Sequence, residues 1–579
     1  MGAHTGGAAG TSLDALVLVN GSSDGYFEWA MFLDPYLDHF GVPRRVVDLS
    51  RESVPADLGK YGLIVAGHSG LAGSPVARDG LARVLAAVRA GSGLVSFDPE
   101  FPSDGRRKAI TVESLSISAR PHYVTARHYP GEAIPLLSPL AVPGFAAGQT
   151  LVAAGAGPLV TADRLGNGRV IRWATIRWAY SGILGPVAGL DDVLWRSLVW
   201  AARKPFVMRG LPPLVGMRVD DVAGRGGLWN RTPFYWVREA VRLGFKPWLG
   251  LFIYNLAPDA IGELRSLALD GRVETFPHAF GRRPIGINRD FPWYRRAVPL
   301  AGGREDDFIF YDHYNRRPWP DAEAVRRMRA VDRWYAAQAP FPRSRYFLPH
   351  WYEAGDAAVR YAADNWGADL TGTPKTLEPP HLAAPPWIRG GPFRRFEPPG
   401  DSSTCGKWDN RGGRPVYYAD FAELAGRRLF NCLTEIRDVA GYEWQPDNDV
   451  PGTVDRGVRQ LNRAIDSMAL AVLFTHETDH IWRIEPENFR GELAGVVNGI
   501  ADRNPVQVTM EDGVRYVRAT KTSRLESAES RGGRVTVRFT GRTDVTTHFH
   551  LFTERKGRIL CRLVPVRPFS GRLAVSSTA

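Results

Sequence analysis

The chain is expected to fold as an α/β protein with three parts: an N-terminal doubly wound parallel sheet, a central distorted (β/α) barrel, and a small C-terminal β appendage. Three observations predict this. Up to about residue 205, short apolar runs alternate with helical patterns, the signature of parallel βαβ units. Between about 210 and 505, five strand-like apolar runs lead into Asp or His. Beyond 505 the pattern becomes short alternating strands. The 579 residues exceed what one hydrophobic core holds, so several domains are expected: 13–205, 210–505 and 506–579, behind a disordered tail over 1–12.

In the first domain, LVLV at 16–19 runs into the turn Asn20-Gly21-Ser22-Ser23, and an aromatic helical stretch covers 26–40. RVVDL at 45–49 and GLIVAG at 62–67 are further strands. A helix around 81–89 leads into GLVSF at 93–97, and GNGRVIRW at 166–173 precedes a helix over 191–202. This arrangement resembles the class I glutamine amidotransferase-like fold of sugar-utilisation proteins, with a local cue in 166–169 and 194–204. Catalysis in that fold needs a Cys on a strand-to-helix elbow, and no Cys precedes Cys405, so a non-catalytic domain is expected. Gly67-His68-Ser69-Gly70-Leu71 approaches a serine elbow without its final Gly, and reads more simply as a strand-end turn.

In the central region, LVGMRVDD at 214–221 is an apolar strand ending in paired carboxylates. A cation beside such a pair offsets its like-charge repulsion, leaving one carboxylate to bind metal and the other to act as base. GRVETFPHAFG at 271–281 carries His278, and DFIFYDHY at 307–314 ends in Asp312 and His313. RYFLPHWYE at 345–353 carries His350, and ALAVLFTHETDH at 469–480 carries His476. Singly each is weak, since Asp caps helices and a lone His is usually packed. Their recurrence at strand ends predicts one rim of a parallel barrel.

The order and spacing of these motifs resemble the polysaccharide deacetylase (NodB-homology) family of carbohydrate esterases, in a divergent form covering about half of the chain. The resemblance implies removal of acetyl groups from a carbohydrate by a divalent metal ion, zinc before cobalt, nickel or manganese. It implies Asp220 as base and His476 as acid, with Asp221 and His278 as metal ligands. The family's second metal His would fall at 282, which is Arg, so His313 is the candidate for that place. Arg345, His350, Trp351, Tyr352 and Glu353 are expected to line the substrate pocket. Trp229 and Tyr235 are further candidates for holding a sugar ring, with core packing as the plainer reading of each aromatic.

Two other functions compete. His476-Glu477-Thr478-Asp479-His480 matches HExxH, a zinc metallopeptidase signature, but its preceding run lacks the helical stripe that chemistry needs. Arg282 also leaves open a non-catalytic carbohydrate-binding protein on the same fold. The net charge of +12 is spread as scattered Arg, and the cluster Arg326, Arg327 and Arg329 lies on a solvated helical face, so nucleic acid is not expected. Cys405, Cys432 and Cys561 fit no zinc cage or disulfide framework, and free thiols are expected over a Cys405–Cys432 bridge. The N-terminus shows no secretory signal and no run is long enough to span a bilayer, so a cytoplasmic chain without integral membrane contact is expected, with extracellular action by another route left open. A Pro/Gly-rich loop is expected over 376–415.

Overall fold

The computed structural model describes residues 11–579 except 72–74, 103–106, 146–147, 225, 257, 285–303, 373–392 and 396–414. The architecture is mixed α/β. Thr11–Val19, Arg44–Asp48, Tyr61–Ala66, Gly93–Ser96 and Gly168–Trp173 form a parallel core. Alternate residues of these strands enter different cores: Leu16, Leu18, Ile64 and Leu94 on one face, Val17, Val19, Val65 and Val95 on the other. Burial on both faces explains why the runs read as continuously apolar. Four antiparallel strands, Arg107–Ile117, Ala133–Gly144, Gln149–Ala154 and Gly157–Leu165, extend one side of this sheet.

The last segment departs from the expected separate appendage. It opens with a helix, Met510–Thr522, capped by Thr509 and packed into the central core through Met510, Val514 and Val517. The strands Ser523–Arg531, Arg534–Thr543 and Phe569–Thr578 then join the N-terminal sheet, through Thr11↔Ser530 and Ser12↔Glu529. Thr547–Arg555 pairs instead with Phe206–Met208. Residues 11 and 12, expected in a tail, begin the first strand, while 1–10 lie outside the described residues.

The central region carries two arcs of strands. Leu214–Val222 is buried throughout and lies parallel between Ala471–His476 and Trp248–Phe252, with Glu274–Ala279 beyond. The second arc runs Tyr346–Phe347, Leu370–Thr371, Arg427–Cys432, Ala419–Leu424. A backbone hydrogen bond from Ser344 N to Thr275 O (2.8 Å) links the arcs, and both pack on one core containing Trp248, Phe276, Phe310 and Phe347. Among the described residues the strands do not form one closed ladder. Most of the expected loop over 376–415 lies outside the described residues; within it Phe393–Arg395 pairs with Pro415–Tyr417. Cys432 and Cys561 are free thiols, and Cys405 lies outside the described residues. Among the described residues no helix is long and apolar enough to cross a membrane.

Candidate metal centre

The two carboxylates at the end of Leu214–Val222 reach one site because the strand breaks its alternation there. Its pairing with Trp248–Phe252 shifts register between Val219 and Val222, and Asp221 takes a left-handed φ of 56°. A non-glycine residue in that region is uncommon and is held there by its surroundings. Asp220, Asp221 and His278 are all buried.

Arg218 holds Asp220. Two residues apart on one strand, their side chains share a face, and the guanidinium grips the carboxylate through Nε to Oδ1 (2.9 Å) and Nη2 to Oδ2. Burial would raise the Asp220 pKa, but Arg218 and then His278 keep it below the usual carboxylate range. Arg218 also donates to the Tyr352 hydroxyl (3.1 Å), which in turn donates to Glu435.

Asp221, His278 and His350 bring one ligand atom each to within 4.8 Å of one another. His278 Nδ1 lies 3.0 Å from the Leu348 carbonyl oxygen. A carbonyl only accepts, so Nδ1 carries the hydrogen and Nε2 presents its lone pair. That nitrogen sits 3.5 Å from Asp220 Oδ2 and 3.7 Å from Asp221 Oδ1. Burial, only partly opposed by the carboxylates, pushes the His278 pKa down to about 4. His350 sits with Nδ1 3.2 Å from Asp221 Oδ1 and Nε2 2.9 Å from Asp306 Oδ2. Burial disfavours its charge, but Asp221 and then Asp306 raise its pKa to about 10. Burial likewise opposes the Asp221 anion, which His350, then His476 and His278, nevertheless hold well below the usual range.

These residues fit a divalent cation. Ligand atoms about 2.1 Å from a tetrahedral ion stand about 3.4 Å apart, and the separations from Asp221 Oδ1 are 3.2 and 3.7 Å. Each imidazole is anchored through its other nitrogen, to Leu348 O or Asp306, the usual outer support of a metal-bound His.

His313 is not in this group. After Tyr311 the chain turns, with Asp312 N donating to Arg317 O (3.0 Å), and His313 stacks on Phe308 while its Nδ1 meets Glu353 Oε2 at 2.7 Å. His350, expected to line the pocket, takes the third place in this group. The turn His350–Tyr352 delivers it, with Trp351 and Tyr352 both left-handed at φ 55° and 61°. Trp351 is left 55% exposed, 5.0 Å from the His313 ring. Arg345 does not reach the site: it lies before Tyr346–Phe347, opposite the end that carries His350, and is engaged by Asp369 and the Gly367 carbonyl. Tyr235 is a core residue; Trp229 is exposed, bonded to Arg483 O.

His476 lies beside Asp220 as its register partner. Burial opposes its charge, but Glu443, with Nδ1 to Oε1 at 3.1 Å, and then Asp221 and Asp220 raise its pKa to about 9. Glu477 is turned away from the HExxH reading. Its carboxylate accepts from the Ala223 and Gly224 amides and from Trp236 Nε1 (2.9 Å), and the residues after His476 form a turn rather than an α-helix. Glu477 thus ties the loop that leaves Asp221 to the turn after His476.

A cavity of about 450 Å³ adjoins the centre, lined by Ala223, Leu228, Arg231, Phe252, Asn255 and Trp482 among others. It shares the Phe252 wall, whose ring lies edge-on to His350 at 5.3 Å and stacks at 6.5 Å on His278. In the N-terminal domain, both His68 nitrogens are engaged, with the Asn20 amide (2.9 Å) and the Ser69 carbonyl (2.8 Å), so Ser69 has no base in that ring.

No family model matches the chain, and no curated protein matches it. Likeness to solved structures is partial. A cytoplasmic protein of Salmonella typhimurium LT2 has 14% identity and a TM-score of 0.23, over 28% of this chain and 87% of that one. The β-galactosidase of Bacillus circulans sp. alkalophilus has 12% identity and a TM-score of 0.22, over 33% of this chain and only 30% of its own. At these scores the likeness carries no argument about function.

Sequence reading missed Arg218, Asp306, Glu435 and Glu443. Arg218 was legible in principle, two residues before Asp220 on one strand. Glu435 follows the strand Arg427–Cys432, while Asp306 and Glu443 come from segments with no apolar run leading into them.

Proposed function

We propose that the chain is a metal-dependent hydrolase that removes acetyl groups from an acetylated carbohydrate. One observation carries the metal part: the His278 lone pair faces carboxylate oxygens at 3.5 and 3.7 Å, acceptor against acceptor, which a cation between them turns from repulsion into coordination. Zinc is the first candidate for this His, His, carboxylate set, with cobalt, nickel or manganese as alternatives.

Bound by Asp221, His278 and His350, such an ion would supply Lewis acidity toward an acyl carbonyl and acidify water. The chain's own groups do the rest. Asp220, kept ionised by Arg218, accepts a proton from the attacking water. His476, whose pKa Glu443 and then Asp221 and Asp220 raise to about 9, donates a proton to the departing nitrogen or oxygen of the sugar. The two lie on adjacent strands as register partners, so base and acid flank one site. The divergent deacetylase resemblance supports the acetyl specificity. Carbohydrate is supported by the adjoining cavity, within the range of small-molecule sites, and by exposed Trp351 and Trp229 as apolar faces for a sugar ring.

Acetate release from N- and O-acetylated oligosaccharides tests the reading. Asp220→Asn is expected to lower the rate by about 10²- to 10⁴-fold while metal content stays at the wild-type level. Asp221→Ala and His278→Ala are expected to lose metal. Wild-type rates in Asp220→Asn would overturn the assignment of roles.

A further inference from the structure

A second group of ligand atoms lies next to the first. Glu443, His476 and His480 bring one each to within 4.8 Å of one another. Glu443 Oε1 stands 3.1 Å from His476 Nδ1 and 3.4 Å from His480 Nε2, again close to the separation of about 3.4 Å around a tetrahedral ion. The approach to His476 is an ion-pair distance and not a hydrogen bond: Nδ1 is buried without a hydrogen-bond partner. Two imidazoles and a carboxylate, borne on a strand end, the turn after it and a separate segment, form a zinc-type donor set. The site is open to solvent, with the His476 and His480 side chains 21% and 20% exposed against 3% for those of Asp221 and His278. Openness gives an ion a way in and leaves room for a water ligand.

We propose that Glu443, His476 and His480 form a second divalent-cation site, filled after the first, whose occupancy removes the proton donor from the reaction. The inhibitory part rests on the deacetylase reading of His476; the binding part does not. A cation on His476 Nδ1 takes the place of the proton there, and the neutral ring that remains keeps only an Nε2–H, a far weaker acid than an imidazolium. Excess metal therefore converts the acid into a ligand. The second ion binds more weakly for two reasons. Arg437 lies 3.6 Å from Glu443 Oε2 and repels a cation. The first centre also has the anchored imidazoles that raise metal affinity by about 10- to 100-fold.

The test is equilibrium dialysis of the full chain, stripped of metal, against Zn²⁺ and against Co²⁺, with bound metal counted by elemental analysis. Wild type is expected to take up two equivalents, the second about 10- to 100-fold more weakly. Asp221→Ala is expected to keep the weak equivalent, and His480→Ala to keep the tight one. His480→Gln serves as the milder variant, with circular dichroism checking that each is folded. Saturation of wild type at one equivalent, abolished by Asp221→Ala, would overturn the second site and leave the first standing. One equivalent abolished by His480→Ala but not by Asp221→Ala would support the second site and sink the first. If both sites load, Zn²⁺ added beyond the first equivalent is expected to slow acetate release by wild type but not by His480→Ala. Equal slowing of both would overturn the inhibitory role.

Discussion

Arg218 and Asp220 show how two residues on one strand set the charge of the centre. The pair is buried, so its strength lies in mutual satisfaction: neither ion can be left alone in a dry site. Arg218→Met is therefore expected to destabilise the fold by about 3–5 kcal/mol, the range for stripping one partner from a buried pair, read by urea denaturation. His313 gives the opposite prediction. Its Nδ1 is held by Glu353 and it lies outside the ligand group, so His313→Ala is expected to leave metal content unchanged. A fall in metal content on that substitution would make His313 a ligand.

At the scale of elements, the end of Leu214–Val222 is held by the turn that follows Ala471–His476. Glu477 accepts the Ala223 and Gly224 amides, closing the loop that leaves Asp221. Glu477→Gln puts an amide NH₂ where acceptor oxygens face buried donors, at about 1–3 kcal/mol. The expected outcome is a lower melting temperature with acetate release retained in the folded fraction. A zinc peptidase using Glu477 as base would lose its chemistry with stability intact. Gly250 lies on the neighbouring strand, where a Cβ would meet His278 Cγ at 3.1 Å, so the absence of a side chain there lets the ring sit against the backbone.

Across the whole molecule, the N-terminal and central parts meet through buried polar contacts. Arg463 pairs with Asp191, His39 Nε2 meets Ser467 O at 2.7 Å, and Trp195 Nε1 donates to Asp466 O at 3.0 Å. Beside this junction His128 lies between Asp192 (3.2 Å) and Glu132 (3.1 Å). Burial disfavours its charge, but Asp192 and then Glu132 raise its pKa from 6.5 to about 10. A folded pKa above the unfolded one means that this stability is fully present below pH 6.5 and is lost as pH rises toward 10. Thermal stability is expected to fall between pH 7 and 10, by at most about 1.4 kcal/mol per pH unit from this group. His128→Asn is expected to flatten that slope; an unchanged slope would remove His128 as its source.

The strands around the centre were legible because their runs are apolar and short: Leu214–Val222 and Ala471–His476 both appear where sequence places them, with Asp220, Asp221 and His476 at their ends. That Asp221 and His278 meet in one buried group was likewise legible. The choice of His350 over His313 was not, because both follow aromatic runs and only the turn after Tyr311 and the left-handed residues at 351 and 352 aim one ring inward. Nor was the joining of the last strands to the first. Alternation shows that a strand has a buried face but not which edge it meets, and that partner here lies more than five hundred residues away, at Thr11 and Ser530. Local pattern determines which residues form strands and where chemistry is placed along them; long-range packing alone decides which side chains share a centre.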